Sequence, residues 1–299
     1  MSSQARIAAA PISWGVCEVP GWGPMLPADR VLREVRSLGL DAIELGAPGF
    51  LPTDAPSIRS VLDDHGVRLI GGFVPVVLHD ESARTETLRA ADVTAALLAE
   101  AGSEVFVSAV VTDLEWAPRR PLSDGEWKHL LAMLGELDTL CAAHGLRQVI
   151  HPHVGTLVES ATDVEFVLTE SEVSWTFDTG HLAIGGYDPV EFARRYPERI
   201  GHVHLKDVDA KLAARLRGGE ISLMDATLAG LFKVLGRGDV DVAAAIRAVL
   251  DSGYDGWFVL EQDTSINGDV PAEGSGPVED VRTSLEFLRA QIAEYEKAS

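Results

Sequence analysis

The stretch WKHLLAMLGELDTLCAAHGLRQVIHPH, Trp127 to His153, contains one complete helix-to-strand unit and sets the pattern for the rest of the chain. Its first part has apolar residues at helical spacing and closes with Gly145, the residue type that best adopts the left-handed conformation after a helix. The apolar run that follows, Arg147 to His151, predicts a short buried strand. Two imidazoles, His151 and His153, come where that strand ends, so we expect polar side chains at its carboxyl end.

The same unit recurs from one end of the chain to the other. Helical patterns such as ADRVLREVRSLG, DVTAALLAEAG and VAAAIRAVLDSG alternate with short apolar runs, and several close with a glycine placed like Gly145. These further glycines are Gly39, Gly66, Gly102 and Gly253. The predicted strands are Ile7 to Trp14, Ala42 to Leu45, Arg68 to Val74, Glu104 to Val111, Arg147 to His151, Val173 to Phe177, Ile200 to Leu205 and Trp257 to Leu260. Eight successive strand and helix units predict an α/β protein, a closed (β/α)8 barrel of the TIM type, in a single domain over residues 1–299.

A doubly wound open sheet is the competing architecture. No G-x-G-x-x-G motif follows the first predicted strand, which argues against that fold and against a nucleotide cofactor. The segment between the seventh and eighth predicted strands, residues 207–241, is too long for a plain crossover. It predicts an extra helical insertion that covers the mouth of the barrel.

The chain is strongly acidic, with a formal net charge of −21, while 46% of its residues are hydrophobic. That charge argues against nucleic acid and anionic membrane surfaces as partners. The only cysteines in the sequence are Cys17 and Cys141, which predicts a reducing compartment and no disulfide scaffold. The first residues resemble no signal peptide and no apolar run reaches the length of a membrane span, so we expect a cytoplasmic protein.

Carboxylates and imidazoles stand at the ends of several predicted strands. The strand-end residues whose side chains can bind a metal or transfer a proton are Glu44, His151, His153, Asp178, His181, His204, Lys206 and Glu261. In a barrel these strand ends meet at one mouth. Carboxylates brought that close either raise one another's pKa or share a cation, and mixed oxygen and nitrogen donors suit Mn²⁺, Co²⁺, Mg²⁺ or Zn²⁺. The sequence therefore predicts one divalent metal site at the mouth.

Each of these residues also has a structural explanation. Asp178, which precedes Thr-Gly, fits a helix N-cap, and Glu261 fits an acid in an exposed loop. A lone histidine near a strand end is usually just hydrogen-bonded, which is our interpretation of His202. The joint appearance of acids and imidazoles at consecutive strand ends favours the metal site.

Three motifs resemble the xylose isomerase-like TIM barrel superfamily, which includes sugar epimerases, endonuclease IV and inosose dehydratases. They are FDTGH at 177–181, HVHLKDV at 202–208 and EQD at 261–263. Further stretches, which span nearly the whole chain, are similar to the inosose (2-keto-myo-inositol) dehydratases in particular. These are APISWG at 10–15, HPHVGT at 151–156, HVHLKDVDAKLAARLR at 202–217, FKVLGRGDVD at 232–241 and GWFVLEQD at 256–263.

The resemblance implies that the metal ligands come from the fifth to eighth strands. Asp178, His204 and Glu261 match the superfamily pattern directly. His151 stands where many relatives have a glutamate, in an L-E-N-H-x-G-T motif. The fourth ligand is therefore His151 itself, a water molecule or a neighbouring side chain.

The resemblance also implies substrate contacts and acid–base roles. The residues expected to face the substrate are Trp14, Glu44, His153, His181 and Lys206. Either Glu261 or Glu159 is expected to remove a proton from the substrate, and either Lys206 or His181 to protonate a departing hydroxyl.

The activity that this resemblance implies is the metal-dependent loss of water from a keto-inositol in inositol catabolism, by removal of an α-proton and a β-hydroxyl. A ketose isomerase or 3-epimerase with the same metal and carboxylates is the first alternative. An abasic-site endonuclease would need further histidines that the third and fourth strands lack, and a non-catalytic sugar-binding barrel would bind no divalent ion. This chain departs from the dehydratase pattern after the first strand and at Pro152 and Glu159, which bear on the substrate. The expected partner is a small polyol or keto-sugar, and a homo-oligomer is left open.

Overall fold

The computed structural model describes residues 5–298, and in this part of the chain eight parallel strands close into a barrel. The strands are β1 (Arg6–Ala9), β2 (Ala42–Glu44), β3 (Arg68–Val76), β4 (Val105–Val110), β5 (Arg147–Ile150), β6 (Ser174–Asp178), β7 (Ile200–Leu205), β8 (Asp207–Val208), β9 (Phe232–Lys233) and β10 (Trp257–Leu260). All but β8 and β9 belong to the barrel, which closes where β10 pairs with both β1 and β7. The predicted TIM barrel is confirmed.

Helices connect the barrel strands. They are α1 (Ala28–Ser37), α2 (Ala55–His65), α3 (Arg84–Glu100), α4 (Asp124–Ala143), α5 (Ala161–Glu170), α6 (Thr179–Gly185), α7 (Pro189–Arg195), α8 (Ala210–Arg217), α9 (Leu223–Leu228), α10 (Val242–Asp251) and α11 (Pro277–Ala298). Capping boxes at Ser123 and Ser160 start α4 and α5, because each serine side chain accepts a backbone N–H that the helix leaves unpaired. Within residues 5–298, no helix combines the length and the apolar character that crossing a bilayer requires.

The barrel strands are buried on both faces. Every residue of β4 and β7 is buried, because the inward side chains fill the bore and the outward ones pack against helices. On β6, for example, Trp175 and Phe177 both contact Phe192 of α7. A polar side chain in the bore therefore lies away from water and needs a partner.

The first predicted strand is wrong in its second half. The strand ends at Ala9, and Pro11–Trp14 forms a turn of 3-10 helix. Proline cannot donate to a sheet, and Gly15 ends the turn in the left-handed region, with φ of 75°. Elsewhere the predicted strand boundaries differ from the observed ones by a few residues, as at β3, which continues to Val76.

The insertion between β7 and β10 contains the predicted short helices, α8 and α9. It also contains the antiparallel pair β8 and β9, which the sequence did not predict. Apolar residues of the insertion, including Ala213, Ala226 and Phe232, pack against Val154 after β5 and Ile184 of α6. The insertion therefore lies against the segments that follow β5 and β6, at the carboxyl end of the barrel.

Asp207 ties the two ends of the insertion together. Its carboxylate accepts hydrogen bonds from the backbone N–H groups of Val208, Gly236, Gly238 and Val240, at 2.8 to 3.1 Å. Gly238 is required for this approach, since a Cβ atom there would lie 2.1 Å from Asp207 Oδ1. The GRGDVD stretch is thus held against the start of the insertion by one buried side chain.

We expect Asp207→Asn to lower the free energy of unfolding by about 2 to 3 kcal/mol, because hydrogen bonds to a charged acceptor are among the stronger ones and the amide loses both its charge and one acceptor oxygen. Denaturant unfolding measures the change. Asp209→Asn is the matched control, since Asp209 is the N-cap of α8 and asparagine caps a helix equally well. Equal losses in the two variants would contradict the role given to Asp207.

Candidate active site

Four of the predicted metal ligands come together at the carboxyl ends of the strands. His151 follows β5, Asp178 ends β6, His204 lies in β7 and Glu261 follows β10. Each offers one donor atom, and these atoms all lie within 4.8 Å of one another. We call this set the ligand cluster. Parallel strands place their carboxyl ends at one mouth, which is why residues far apart in the sequence meet here.

Asp178 divides its two oxygens between two tasks. Oδ1 accepts the N–H groups of Gly180 and His181, at 2.9 and 2.8 Å, and so caps α6. Oδ2 faces the cluster, 3.2 Å from both His151 Nε2 and Lys206 Nζ. The helix-cap and metal-ligand interpretations of Asp178 are therefore compatible, because they use different oxygens.

One oxygen of the cluster, Glu261 Oε2, has no directed hydrogen bond to any residue that the structure describes. Glu261 Oε2 lies 2.5 Å from His204 Nδ1 and 2.5 Å from Lys206 Nζ, yet within the described chain neither contact has hydrogen-bond geometry. Two carboxylates and two imidazoles, all but fully buried, fit a divalent metal ion as their common partner. His204 would bind such an ion together with Asp178, Glu261 and His151.

The charges of the site are balanced by Lys206, which is 1% exposed. Burial opposes its charge, but Asp178, Asp263 and Glu261 raise the pKa of Lys206 above its usual value. Burial also opposes the charge of Glu261, yet His204 and Lys206 lower its pKa to about 2. Burial opposes the charge of Asp178 as well, yet Lys206 holds its pKa well below the usual range. Both carboxylates are therefore anionic at neutral pH, as a metal ligand must be.

The FDTG motif holds the backbone of Lys206. Thr179 Oγ1 donates to the carbonyl of Lys206 at 2.6 Å and accepts its N–H at 2.9 Å. A Cβ atom on Gly180 would lie 2.5 Å from Lys206 Cβ, so only glycine allows the two segments to come this close. Thr179 and Gly180 thus fix the backbone position from which the Lys206 side chain extends.

Glu44 contacts a cluster residue from inside the barrel. Its Oε1 lies 2.8 Å from His202 Nε2 and 2.9 Å from His204 Nε2. Burial opposes its charge, but His204 and His202 hold the pKa of Glu44 below its usual value. Glu44 thus contacts two histidines, and the substrate contact predicted for it stays a prediction. His202 is hydrogen-bonded, as we interpreted it from the sequence.

His153 and His181 form a close pair of tilted rings, with centroids 4.0 Å apart, and have opposite hydrogen-bonding roles. His153 Nδ1 lies 2.7 Å from the carbonyl of Val154 and must donate to it, whereas the Val154 N–H donates to His181 Nδ1 at 3.4 Å. Burial lowers the pKa of His153 to about 3 and that of His181 well below its usual value, so both are neutral. His181 therefore carries its proton on Nε2, which is buried and has no partner among residues 5–298.

Two other predicted site residues lie apart from the ligand cluster. Trp14 is fully buried and its Nε1 donates to Glu34 Oε2 of α1 at 2.8 Å, and the substrate contact predicted for it stays a prediction. Glu159 accepts the N–H of Gly155 at 2.7 Å and lies 3.8 Å from Arg119. These contacts occupy the Glu159 carboxylate that we expected to serve as a base.

Three residues of the site were missed. Asp263 is 6% exposed, lies 3.3 Å from Lys206 Nζ, and burial raises its pKa to about 6; its position in the EQD motif was the available signal. Phe73 and Trp116 stack with ring centroids 6.2 Å apart, and Phe73 also meets the ring of His151 at 5.8 Å. Trp116 follows β4 and is 40% exposed. Its position gave no signal in the sequence, because an aromatic side chain is neither an acid nor an imidazole.

The comparisons with known proteins agree with this fold. The sequence profile of the xylose isomerase-like TIM barrel family matches residues 32–291. An inosose dehydratase from Geobacillus kaustophilus (strain HTA426) is 34% identical over 268 residues, which cover 86% of each chain. An L-ribulose 3-epimerase structure is 16% identical and superposes with a TM-score of 0.72 over 98% of this chain and 96% of that one. The structure of the IolI protein with a bound zinc atom is 13% identical, with a TM-score of 0.69 over 97% and 99%. This chain belongs to the xylose isomerase-like TIM barrel family.

Proposed function

We propose that this protein is a metal-dependent dehydratase that converts 2-keto-myo-inositol to a trihydroxycyclohexane-dione, as part of inositol catabolism. The similarity to a protein named inosose dehydratase, at 34% identity over 86% of the chain, supports this substrate. The observation that carries the reaction type is the contact between Glu261 and Lys206, 2.5 Å apart. A proton acceptor and a proton donor stand side by side, as the removal of water requires.

His151 favours dehydration over epimerisation. Epimerisation at a carbon atom requires a group that returns a proton to the face opposite the base. His151 lies where many superfamily members have a carboxylate, and its Nε2 lies 3.2 Å from Asp178 Oδ2. Burial lowers the pKa of His151 although Asp178 opposes this, so a neutral imidazole stands where an epimerase would need its second acid–base group.

The residues of the site divide the reaction between them. A divalent ion held by Asp178, His204, Glu261 and His151 would polarise the ketone oxygen of the substrate. Glu261 takes the proton from the carbon next to the carbonyl, and Lys206 protonates the hydroxyl that leaves from the β-carbon. The β-hydroxyl leaves as water with the proton from Lys206, Glu261 then passes the substrate's proton to Lys206, 2.5 Å away, and the resulting enol becomes the diketone. His181 Nε2–H donates a hydrogen bond to a substrate oxygen.

Mn²⁺ or Co²⁺ is the ion that we propose for this site, with Mg²⁺ or Zn²⁺ as the alternatives. Two imidazoles and two carboxylates are a mixed nitrogen and oxygen set, which suits first-row transition metals better than Mg²⁺. We also propose one domain over residues 1–299 in the cytoplasm. The free thiols of Cys17 and Cys141 support this compartment. A homo-oligomer stays a prediction.

The decisive assay incubates the purified protein with 2-keto-myo-inositol and Mn²⁺ or Co²⁺ and follows the ultraviolet absorbance of the diketone. We expect absorbance to rise, and chelation of the ion to stop the rise until metal is added back. The same mixture in D₂O, analysed by mass spectrometry, separates the two reaction classes. Deuterium at carbon without loss of water would support the isomerase or epimerase alternative and contradict the dehydratase.

A further inference from the structure

Glu44 determines which nitrogen atoms of two histidines carry protons. Its carboxylate ends β2 and is 4% exposed, and Oε1 lies 2.9 Å from His204 Nε2 and 2.8 Å from His202 Nε2. An ionised carboxylate accepts hydrogen bonds and donates none. Both histidines must therefore donate from Nε2, which leaves Nδ1 as the other nitrogen of each ring.

The other nitrogen of His204, Nδ1, faces the two carboxylates of the ligand cluster. His204 Nδ1 lies 2.5 Å from Glu261 Oε2 and 3.6 Å from Asp178 Oδ2. The imidazole thus bridges two sets of carboxylates, with Glu44 on the Nε2 side and the cluster acids on the Nδ1 side. The ring is 1% exposed, so it has no solvent with which to exchange these partners.

We propose that Glu44 is a positioning residue, which fixes the ring orientation of His204 so that Nδ1 is the atom that binds the metal. His202 supports this arrangement from the same strand, because its Nε2 shares Oε1 of Glu44. In this proposal Glu44 acts on the metal through His204. This inference rests on the metal site of the proposed function, but not on the identity of the substrate.

The physical argument is one of orientation. Turning the His204 ring over would put carbon Cε1 where Nε2 lies and carbon Cδ2 where Nδ1 lies, leaving the buried carboxylate of Glu44 without that donor and the cluster without a ligand nitrogen. A buried, unsatisfied charge is costly, so Glu44 disfavours the reversed ring. Carboxylates that hold a ligating histidine in this way commonly change metal affinity by about 10- to 100-fold when they are removed.

Nitrogen NMR of the Zn²⁺-loaded protein, with ¹⁵N-labelled histidine, tests the proposal directly, because Zn²⁺ is diamagnetic. We expect His204 Nδ1 to show the shift of a metal-bound nitrogen and His204 Nε2 to carry a slowly exchanging proton. Coordination through Nε2 would overturn the proposal. This measurement needs no variant, so it holds even if substitutions at position 44 prevent folding.

Glu44→Gln supplies the second readout, since the amide keeps the size of the side chain and loses its charge. We expect the dissociation constant for Zn²⁺, measured by calorimetry, to rise by about 10- to 100-fold. Glu34→Gln is the matched control, because Glu34 is also a buried carboxylate but pairs with Trp14 and Arg30; we expect its Zn²⁺ affinity to be unchanged. Unchanged affinity in Glu44→Gln would contradict the role of Glu44.

These outcomes separate the inference from the proposed reaction. Coordination through Nδ1 together with inactivity toward 2-keto-myo-inositol would overturn the proposed substrate and leave the role of Glu44 intact. Failure of the unaltered protein to bind Zn²⁺, Mn²⁺ or Co²⁺ would overturn the metal site and this inference together.

Discussion

Asp178→Asn is expected to abolish tight metal binding and to reduce the rate of dehydration by at least about a thousandfold. A bound ion contributes several kcal/mol to the reaction, and about 4 kcal/mol corresponds to that factor. Asparagine keeps an oxygen that can accept the N–H groups of Gly180 and His181, so α6 remains capped. The loss falls on the other oxygen, which faces the cluster.

Metal titration by calorimetry and steady-state rates with added Mn²⁺ check this expectation, and circular dichroism checks the fold. The matched control is Asp188→Asn, because Asp188 is the exposed N-cap of α7 and accepts the N–H of Val190. We expect the control to bind metal and turn over substrate normally. An Asp178→Asn protein that binds metal as tightly as the control would remove Asp178 from the ligand set.

Lys206→Met is expected to separate the two halves of the reaction. Without the ammonium group, the acid that we propose for the leaving hydroxyl is missing, so dehydration falls by about 10²- to 10⁴-fold. Glu261 is still present and can remove the α-proton. In D₂O the variant should therefore still exchange deuterium into the substrate, as measured by mass spectrometry, while it releases little diketone.

The same variant should be less stable when metal has been removed by chelation. Asp178, Glu261 and Asp263 all contact Lys206 Nζ, and breaking a buried ion pair commonly costs about 3 to 5 kcal/mol. Thermal unfolding with and without Mn²⁺ measures the effect, and added metal should recover more stability in the variant than in the unaltered protein. Lys211→Met, at an exposed lysine of α8, is the control.

Equal loss of deuterium exchange and dehydration in Lys206→Met would show that Lys206 is not the acid.

The barrel could be predicted because its signals are local. Each strand is a short apolar run that burial on both faces demands, and the glycines proposed as helix ends all have left-handed φ angles in the structure, between 64° and 93°. The turn at Pro11 was missed because its apolar residues continue the pattern of the strand before it. At this position, the missing backbone N–H of Pro11 outweighed the apolar character of the segment.

The meeting of Asp178, His204 and Glu261 could also be predicted, since the geometry of a parallel barrel brings consecutive strand ends together. The contact of Glu44 with His202 and His204 could not. It joins β2 to β7 across the bore, between residues some 160 positions apart in the chain. No spacing rule in the sequence relates two such strands, so the sequence did not predict that Glu44 contacts two histidines.

The carboxylate of Asp207 also marks where the protein could be rebuilt. The segment between Val208 and Gly236 leaves the barrel and returns to the same side chain, so both of its ends are fixed close together before any residue between them is specified. Changing the length of a loop whose ends are already held has only a small entropic cost. The segment can thus be exchanged as a unit, with Asp207 and the GRGDVD stretch as its junctions. Insertions could be transferred in this way between barrels that share these two junctions.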